Sequence, residues 1–277
     1  MERDQISGVA HGDHPVSAPI SESSLERLLG RAKLPPRARI LDLGCGEAAW
    51  LTRALALYPD ATADGVDVSE RALARAAEEA ERRGVSDRLR LHRMPAADFT
   101  TGAASGLSSE PTSEPASEPA SEMASAGTYD LVLSVGATHA FGGLAPTLRS
   151  VRGHLRPPSG LALVGEGFWE RPPAPELLAR LDAEPGEFAD LAGTVERMES
   201  AGFATVYGHT STLDEWDEYE WSWTGTLTRW ALAHPGPDGD AALAAARDHR
   251  DLWLNGYRGV LGFVTLLLRR SDTAAGS

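Results

Sequence analysis

Short apolar runs of strand length alternate along this chain with longer stretches in which apolar residues recur every three or four positions. The first run, Arg39-Ile40-Leu41-Asp42-Leu43, ends in Gly44-Cys45-Gly46 and breaks into a helix carrying Trp50, Leu51, Ala54 and Leu55, which stops at Pro59-Asp60. A second run closes at Gly65-Val66-Asp67-Val68-Ser69, and Ser69 is placed to cap a helix with Leu73, Ala76, Ala77 and Ala80 on one face, ending near Gly84. A third short strand precedes Met94-Pro95-Ala96-Ala97-Asp98-Phe99, and Tyr129-Asp130-Leu131-Val132-Leu133-Ser134-Val135-Gly136 reads as a fourth. Leu161-Ala162-Leu163-Val164-Gly165-Glu166 is the fifth, Phe203-Ala204-Thr205-Val206-Tyr207 the sixth and Gly262-Phe263-Val264-Thr265-Leu266-Leu267-Leu268 the last. Ahead of the first strand, Ser23 and Glu26 have the spacing of a capping box for a helix with Leu25, Leu28 and Leu29. Helical residues at 194–201 precede the sixth strand, and residues 213–259 hold two helices that form part of a lid. Alternating strand and helix predict an α/β fold on a largely parallel sheet.

The turn after the first strand has the form of a nucleotide cradle. Gly44 and Gly46 lack a Cβ and can bring backbone close to a ligand, while the following helix offers its N-terminal N–H groups. Gly44-x-Gly46-x-x-Ala49 fits the relaxed dinucleotide fingerprint, so a nicotinamide cofactor competes for the loop. Asp42 argues against it. A carboxylate there repels a pyrophosphate, whereas it attracts an ammonium group and adds negative potential near a sulfonium, which favours S-adenosylmethionine. Three further stations agree in order: Asp67, with Val68 beside it, at the end of the second strand for the ribose hydroxyls; Asp98 for the adenine amino group with Phe99 beside the ring; and the small-residue turn of Ser134 and Gly136.

With these four motifs in order, the chain resembles the class I S-adenosylmethionine-dependent methyltransferases over roughly residues 40–203. The resemblance implies a Rossmann-like, doubly wound seven-stranded sheet, mostly parallel with an antiparallel last strand and a helical cap. It also implies cofactor binding at the carboxyl ends of the first strands by Asp42, Gly44, Cys45, Gly46, Asp67, Val68, Asp98, Phe99, Ser134 and Gly136, and direct methyl transfer. Ala48 stands where the family often has a third glycine; alanine allows a helical start, so slightly looser cofactor contact is expected. In similar enzymes the region around His11-Gly12-Asp13-His14-Pro15 folds over the cofactor, so residues 1–35 are expected to form a cover segment.

Composition narrows the partners. A chain of 277 residues can bury one sizeable core with a cap, so a single domain is expected. Against 40 acidic residues stand 26 basic ones, and the net charge of −14 disfavours nucleic acid and anionic membranes. No apolar run has transmembrane length and the polar first residues lack a signal-peptide core, so a cytoplasmic protein is expected, as monomer or homodimer. The single Cys45 excludes an internal disulfide, and its place between two glycines suits an inward-packing side chain. Ser-Glu-Pro recurs at Ser109, Ser113 and Ser117, and residues 100–127 read as a disordered insertion between the third and fourth strands.

The methyl acceptor is expected to be a small molecule, and transfer to O or N needs a dry, aligned pocket and no metal. His139, just past strand four, either removes the acceptor's proton or bonds backbone in its turn; Glu166, flanked by glycines, either binds the acceptor or anchors the cap. Trp169 and Phe168 either wall the pocket or belong to the core. Trp216, Tyr219, Glu220 and Trp223 fall on one helical face, which would supply an acceptor pocket or simply pack the cap; His14, Tyr219 and Trp223 are taken as acceptor contacts. His11, Asp13 and His14 lack further ligand spacing, so no metal site is expected. A non-catalytic S-adenosylmethionine or S-adenosylhomocysteine-binding protein and an NAD-linked oxidoreductase remain the rivals.

Overall fold

The computed structural model describes residues 1, 3–14, 16–99 and 129–271. Its seven strands are β1 (Arg39–Leu43), β2 (Thr62–Asp67), β3 (Leu89–Arg93), β4 (Leu131–Val135), β5 (Leu161–Trp169), β6 (Phe203–Thr210) and β7 (Leu261–Arg270). They form one sheet in the order β3-β2-β1-β4-β5-β7-β6. β7 runs antiparallel to both β5 and β6, and the other pairings are parallel. The order reverses between β1 and β4, and such a switch point opens a crevice at the carboxyl ends of the strands.

Nine α-helices accompany the sheet among the described residues: α1 (Arg3–Ala10), α2 (Glu22–Ala32), α3 (Ala49–Leu57), α4 (Glu70–Arg82), α5 (Leu144–His154), α6 (Pro175–Leu181), α7 (Leu191–Ser200), α8 (Leu213–Ala233) and α9 (Pro237–Leu252). Strand side chains alternate between faces, so each strand feeds two cores. Ile40, Ala63, Leu133 and Leu163 pack with Leu25, Leu28, Leu51 and Leu73 from α2, α3 and α4. Leu41, Leu43, Val132 and Val164 pack on the other face with Leu148 and Val151 of α5 and Met198 of α7. A smaller cluster joins Ala10 to Leu227, Ala231, Ala242 and Ala246, tying α1 to the α8–α9 hairpin.

Local chemistry explains the element ends and corrects three expectations. Ser69 caps α4 by accepting from the N–H of Ala72, as its position before the helix requires. The cap of α2 is Ser21, not Ser23: its hydroxyl accepts from Ser24 N–H, and the helix begins at Glu22. Strand β5 runs past Glu166 to Trp169, because β7 pairs with it along its whole length, so Phe168 and Trp169 are strand residues and not loop residues past its end. Ala48 has φ 56°, a left-handed conformation that costs an alanine about 1–2 kcal/mol; the helix begins only at Ala49. Glycine's advantage at this position is therefore conformational. Residues 213–259 hold α8, α9 and a π-turn at Trp253–Tyr257. The Ser/Glu/Pro segment read as a disordered insertion, residues 100–127, lies outside the described residues.

Candidate active site

Two adjoining cavities occupy the switch-point crevice. The first lies under the loop after β1. Gly44 and Cys45 donate their N–H groups to Val66 O at 2.9 and 3.0 Å, and Gly46 donates to Oδ2 of Asp67 at 2.9 Å. Gly44 has φ 88°, and a Cβ there would come within 2.5 Å of Ala137 Cβ. Gly46 has φ 53° and open space where its Cβ would be, which leaves the backbone accessible to a ligand. Asp67 is bound at both oxygens, Oδ1 accepting from Ser69 N–H at 2.9 Å. Asp42 is 3 % exposed, and among the described residues no donor reaches its carboxylate. Burial, and then the nearby charge of Asp67, push its pKa up to about 7. Cys45 packs inward, its Sγ 3.0 Å from where a Cβ on Gly65 would stand, and burial raises its thiol pKa, so it is no nucleophile at neutral pH.

The N-terminal segment closes over this loop. His14, Val16, Ser17 and Ala18 line a space of about 60 Å³ together with Asp42, Gly44, Cys45, Gly46 and Glu47. Three contacts tie the segment to α8. His11 Nε2 lies 2.9 Å from Tyr219 Oη, Asp13 pairs with Arg229, and Ser21 donates both its N–H and its hydroxyl to Oε1 of Glu215 at 3.0 and 2.7 Å.

The second cavity, about 580 Å³, begins at Gly136, the residue after β4. Its volume is that of a small-molecule pocket. Glu166 lines it while 6 % exposed; Oε1 accepts from Gly167 N–H at 3.1 Å, and Oε2 is buried with no partner among the described residues. Burial pushes Glu166 up to about 7, although the Thr138 hydroxyl and Gly167 N–H draw it partway back. His139 lies at the edge of the same cavity, exposed, in the turn Thr138–Phe141. Apolar walls come from Phe188, Trp216 and Phe263.

A family model described as a methyltransferase domain matches residues 41–161, the span from Asp42 to β5 that builds the cradle. Residues 41–161 carry a methyltransferase domain, on a Rossmann-like methyltransferase fold. It is 28% identical over 247 residues to the uncharacterized protein YjhP of Escherichia coli K12, covering 88% of this chain and 89% of that one. The X-ray structure of YjhP superposes with a TM-score of 0.80 at 25% identity, over 96% of this chain and 99% of that one. Crystal structures of S-adenosylmethionine-dependent methyltransferases from Geobacter sulfurreducens and Thiobacillus denitrificans, both in complex with S-adenosylhomocysteine, share the fold. Their TM-scores are 0.81 and 0.80 at 24% and 23% identity, over 96% and 98% of this chain and 98% and 99% of theirs.

The cradle of this methyltransferase suits S-adenosylmethionine and not a dinucleotide. Its buried, unpartnered carboxylate at Asp42 is relieved by a cationic ligand and opposed by a pyrophosphate. Around it, Val68 stands 62 % exposed after β2, and Asp98 is exposed in the turn Ala96–Asp98. Phe99 is half-buried, its ring centroid 5.3 Å from His92 and 5.8 Å from His154. Ser134 is fully buried and lines neither cavity, because strand alternation turns it into the sheet's α5 side.

Around the second cavity the structure brings together Gly136, His139 and Glu166 and separates the remaining candidates. Trp169 lies behind the wall: its ring packs edge-on against Phe188 at 5.5 Å, and Phe188 faces the cavity instead. Phe168 is a core residue packed against Gly262. His14 lines the cofactor-side cavity, its ring 5.2 Å from Tyr219. Tyr219 is turned to the N-terminal segment, and Trp223 stacks on His249 at 3.9 Å. Glu220 is consumed by the cap, accepting from His249 Nε2 and from the Tyr257 hydroxyl, each at 2.7 Å. From α8 only Trp216 reaches the second cavity. Sequence reasoning missed Glu184, Glu187 and Phe188, whose stretch before α7 has no periodic pattern to mark it, and Arg197 on α7 itself.

Proposed function

We propose that this methyltransferase moves a methyl group to an oxygen or nitrogen atom of a small molecule held in the cavity beside Gly136, by in-line displacement. The observation that carries the reading is the Glu166 carboxylate. It is buried, has a free oxygen, lines the cavity that begins at Gly136 after β4, and is poised near neutrality.

When bound, S-adenosylmethionine supplies an electrophilic methyl group on a sulfonium. Asp42 would hold its ammonium end, Asp67 the ribose hydroxyls, and Asp98 with Phe99 the adenine, along a rim shaped by Gly44, Gly46 and Gly136. Two of the roughly four lone-pair sites on Asp67 are used by Gly46 and Ser69, which leaves acceptors for both hydroxyls. Glu166 takes the proton that an O–H or N–H acceptor must lose. A base with a pKa near the working pH combines a useful ionised fraction with useful proton affinity. His139, at the solvent edge, can pass that proton outward. Phe188, Trp216 and Phe263 exclude water from the reacting groups.

The net charge of −14 fits a small, non-anionic acceptor in a cytoplasmic setting, and no described helix is long and apolar enough to cross a membrane. Incubation with S-adenosylmethionine and a panel of hydroxyl and amine compounds, read by mass spectrometry, tests the proposal. A mono-methylated product that disappears with Glu166→Gln supports it. Tight S-adenosylhomocysteine binding with no product from any compound would instead mark a non-catalytic binding module.

A further inference from the structure

The acceptor cavity carries a charge pattern that narrows its ligand beyond oxygen or nitrogen. Three carboxylates line it, Glu166 inside and Glu184 and Glu187 at the exposed rim, against one guanidinium, Arg197. Arg197 donates to the backbone oxygens of Glu187 and Gly186 at 3.0 and 3.2 Å, so it is committed to the loop that carries the rim. Among the described residues no lysine lines the cavity. An anionic ligand therefore meets three carboxylates, a guanidinium already committed to the loop and the His139 imidazole at the edge, in a protein of net charge −14. A neutral alcohol could donate one hydrogen bond to Glu166 and would gain nothing from the rim. An ammonium ion satisfies the unpartnered Oε2 with a charge-assisted bond, is drawn in by the rim carboxylates, and can lie over aromatic faces.

Resting on the reading of this cavity as the acceptor site, we infer that it selects an amine, bound as its ammonium ion against Glu166 with an apolar body among Phe188, Trp216 and Phe263. One proton then passes from the ammonium nitrogen to Oε2 of Glu166. No electrons change hands, and the products are a neutral amine with a free lone pair and a neutral carboxylic acid. Glu184 and Glu187 act as steering charges whose pull weakens with salt.

Calorimetry with three probes of one body and different heads tests this: 2-phenylethylamine, 2-phenylethanol and 3-phenylpropionate, each with and without saturating S-adenosylhomocysteine. The amine is expected to bind about tenfold or more tighter than the alcohol, and the carboxylate to give no heat. Glu166→Gln should bring the amine down to the alcohol's affinity while S-adenosylhomocysteine binding persists. Glu184→Gln/Glu187→Gln, altered only at the exposed rim, should lower amine affinity severalfold in low salt and little in high salt. Alcohol or carboxylate binding as tight as the amine, an undiminished amine preference in Glu166→Gln, or no binding of any probe at millimolar concentration would overturn the inference. Failure of S-adenosylhomocysteine itself to bind would strike the underlying methyltransferase site, and the head-group order without it would still be read separately.

Discussion

Gly46 donates its backbone N–H to Oδ2 of Asp67 at 2.9 Å, so the loop after β1 and the end of β2 form one hydrogen-bonded unit. Asp67 therefore shapes the cradle before it meets any ligand. Removing the carboxylate loosens Gly46 and Ser69 together and deletes the proposed ribose acceptor. Asp67→Ala is expected to weaken S-adenosylhomocysteine binding by about 1–3 kcal/mol, the scale of hydrogen bonds to a charged group. Calorimetric titration of the two proteins checks it, and equal dissociation constants would remove Asp67 from the site.

Asp42 sets stability against binding. Its pKa is raised by burial and by Asp67 from 3.8 to about 7, so in this pH interval the folded state holds a proton that the unfolded chain has released. With fewer protons on the unfolded state, stability falls as pH rises from about 4 to about 7 and is level above that. Asp42→Asn removes the penalty, which is on the order of 4 kcal/mol for a shift of this size. Thermal melts of the ligand-free proteins should show the variant gaining over the parent as pH rises through that interval. The same variant should bind S-adenosylhomocysteine about 1–3 kcal/mol more weakly. A variant that melts with the parent at pH 8 would mean that the carboxylate is not desolvated.

The cradle was legible in sequence because it is local: a strand, an acid, two glycines and a second acid about twenty residues on need only backbone rules. Ser69 was legible as a cap for the same reason. Ser23 was mistaken for Ser21 because Ser21, Ser23 and Ser24 lie together, and the choice is made by Glu215, which binds Ser21 from the far end of the chain. The stripe on α8 shows the same limit. Three- and four-residue spacing groups Trp216, Tyr219, Glu220 and Trp223, yet it cannot say that the N-terminal segment takes Tyr219, α9 takes Glu220 and Trp223, and only Trp216 is left to the cavity. Sequence leaves Trp169 open between pocket wall and core, because the choice is made by β7, about ninety residues later, which extends β5 and turns the ring behind Phe188. Glu184, Glu187 and Phe188 lie in an aperiodic stretch, where position follows from tertiary packing alone.

Glu166 should govern the pH dependence of turnover. Burial raises it to about 7, and proton acceptance requires the ionised form, so the rate should rise as pH increases through about 7 and level off above. The groups acting on it are the Thr138 hydroxyl, the Gly167 N–H, Glu187 and Arg197. Glu166→Gln is expected to lower kcat by about 10²–10⁴-fold and to abolish that limb of the profile. His139→Gln should leave the limb in place, because His139 is exposed at the cavity edge. A limb that survives in Glu166→Gln and vanishes in His139→Gln would exchange the two roles.

Glu215 fastens the N-terminal segment over the cofactor loop. Burial alone would raise its pKa, but donors from Thr212, Ser21 and Ser24 outweigh burial and hold it down at about 2, against a usual 4.5. His209 Nε2 adds a contact at 2.8 Å. A depressed carboxylate contributes stability that is fully present above about 4.5 and is lost as pH falls toward 2. Acid should therefore release Ser21 from α8 first. Glu215→Gln keeps the size of the side chain and loses the charge, so it should cost about 1–3 kcal/mol at neutral pH and flatten the stability profile between pH 4.5 and 2. Because Val16, Ala18 and Ile20 pack in the core beside that anchor, hydrogen exchange of residues 16–21 should speed up in the variant more than exchange in β1 or β4. Exchange that rises equally in the segment and the central strands would show Glu215 to be a support of the whole fold and not the fastening of the cover.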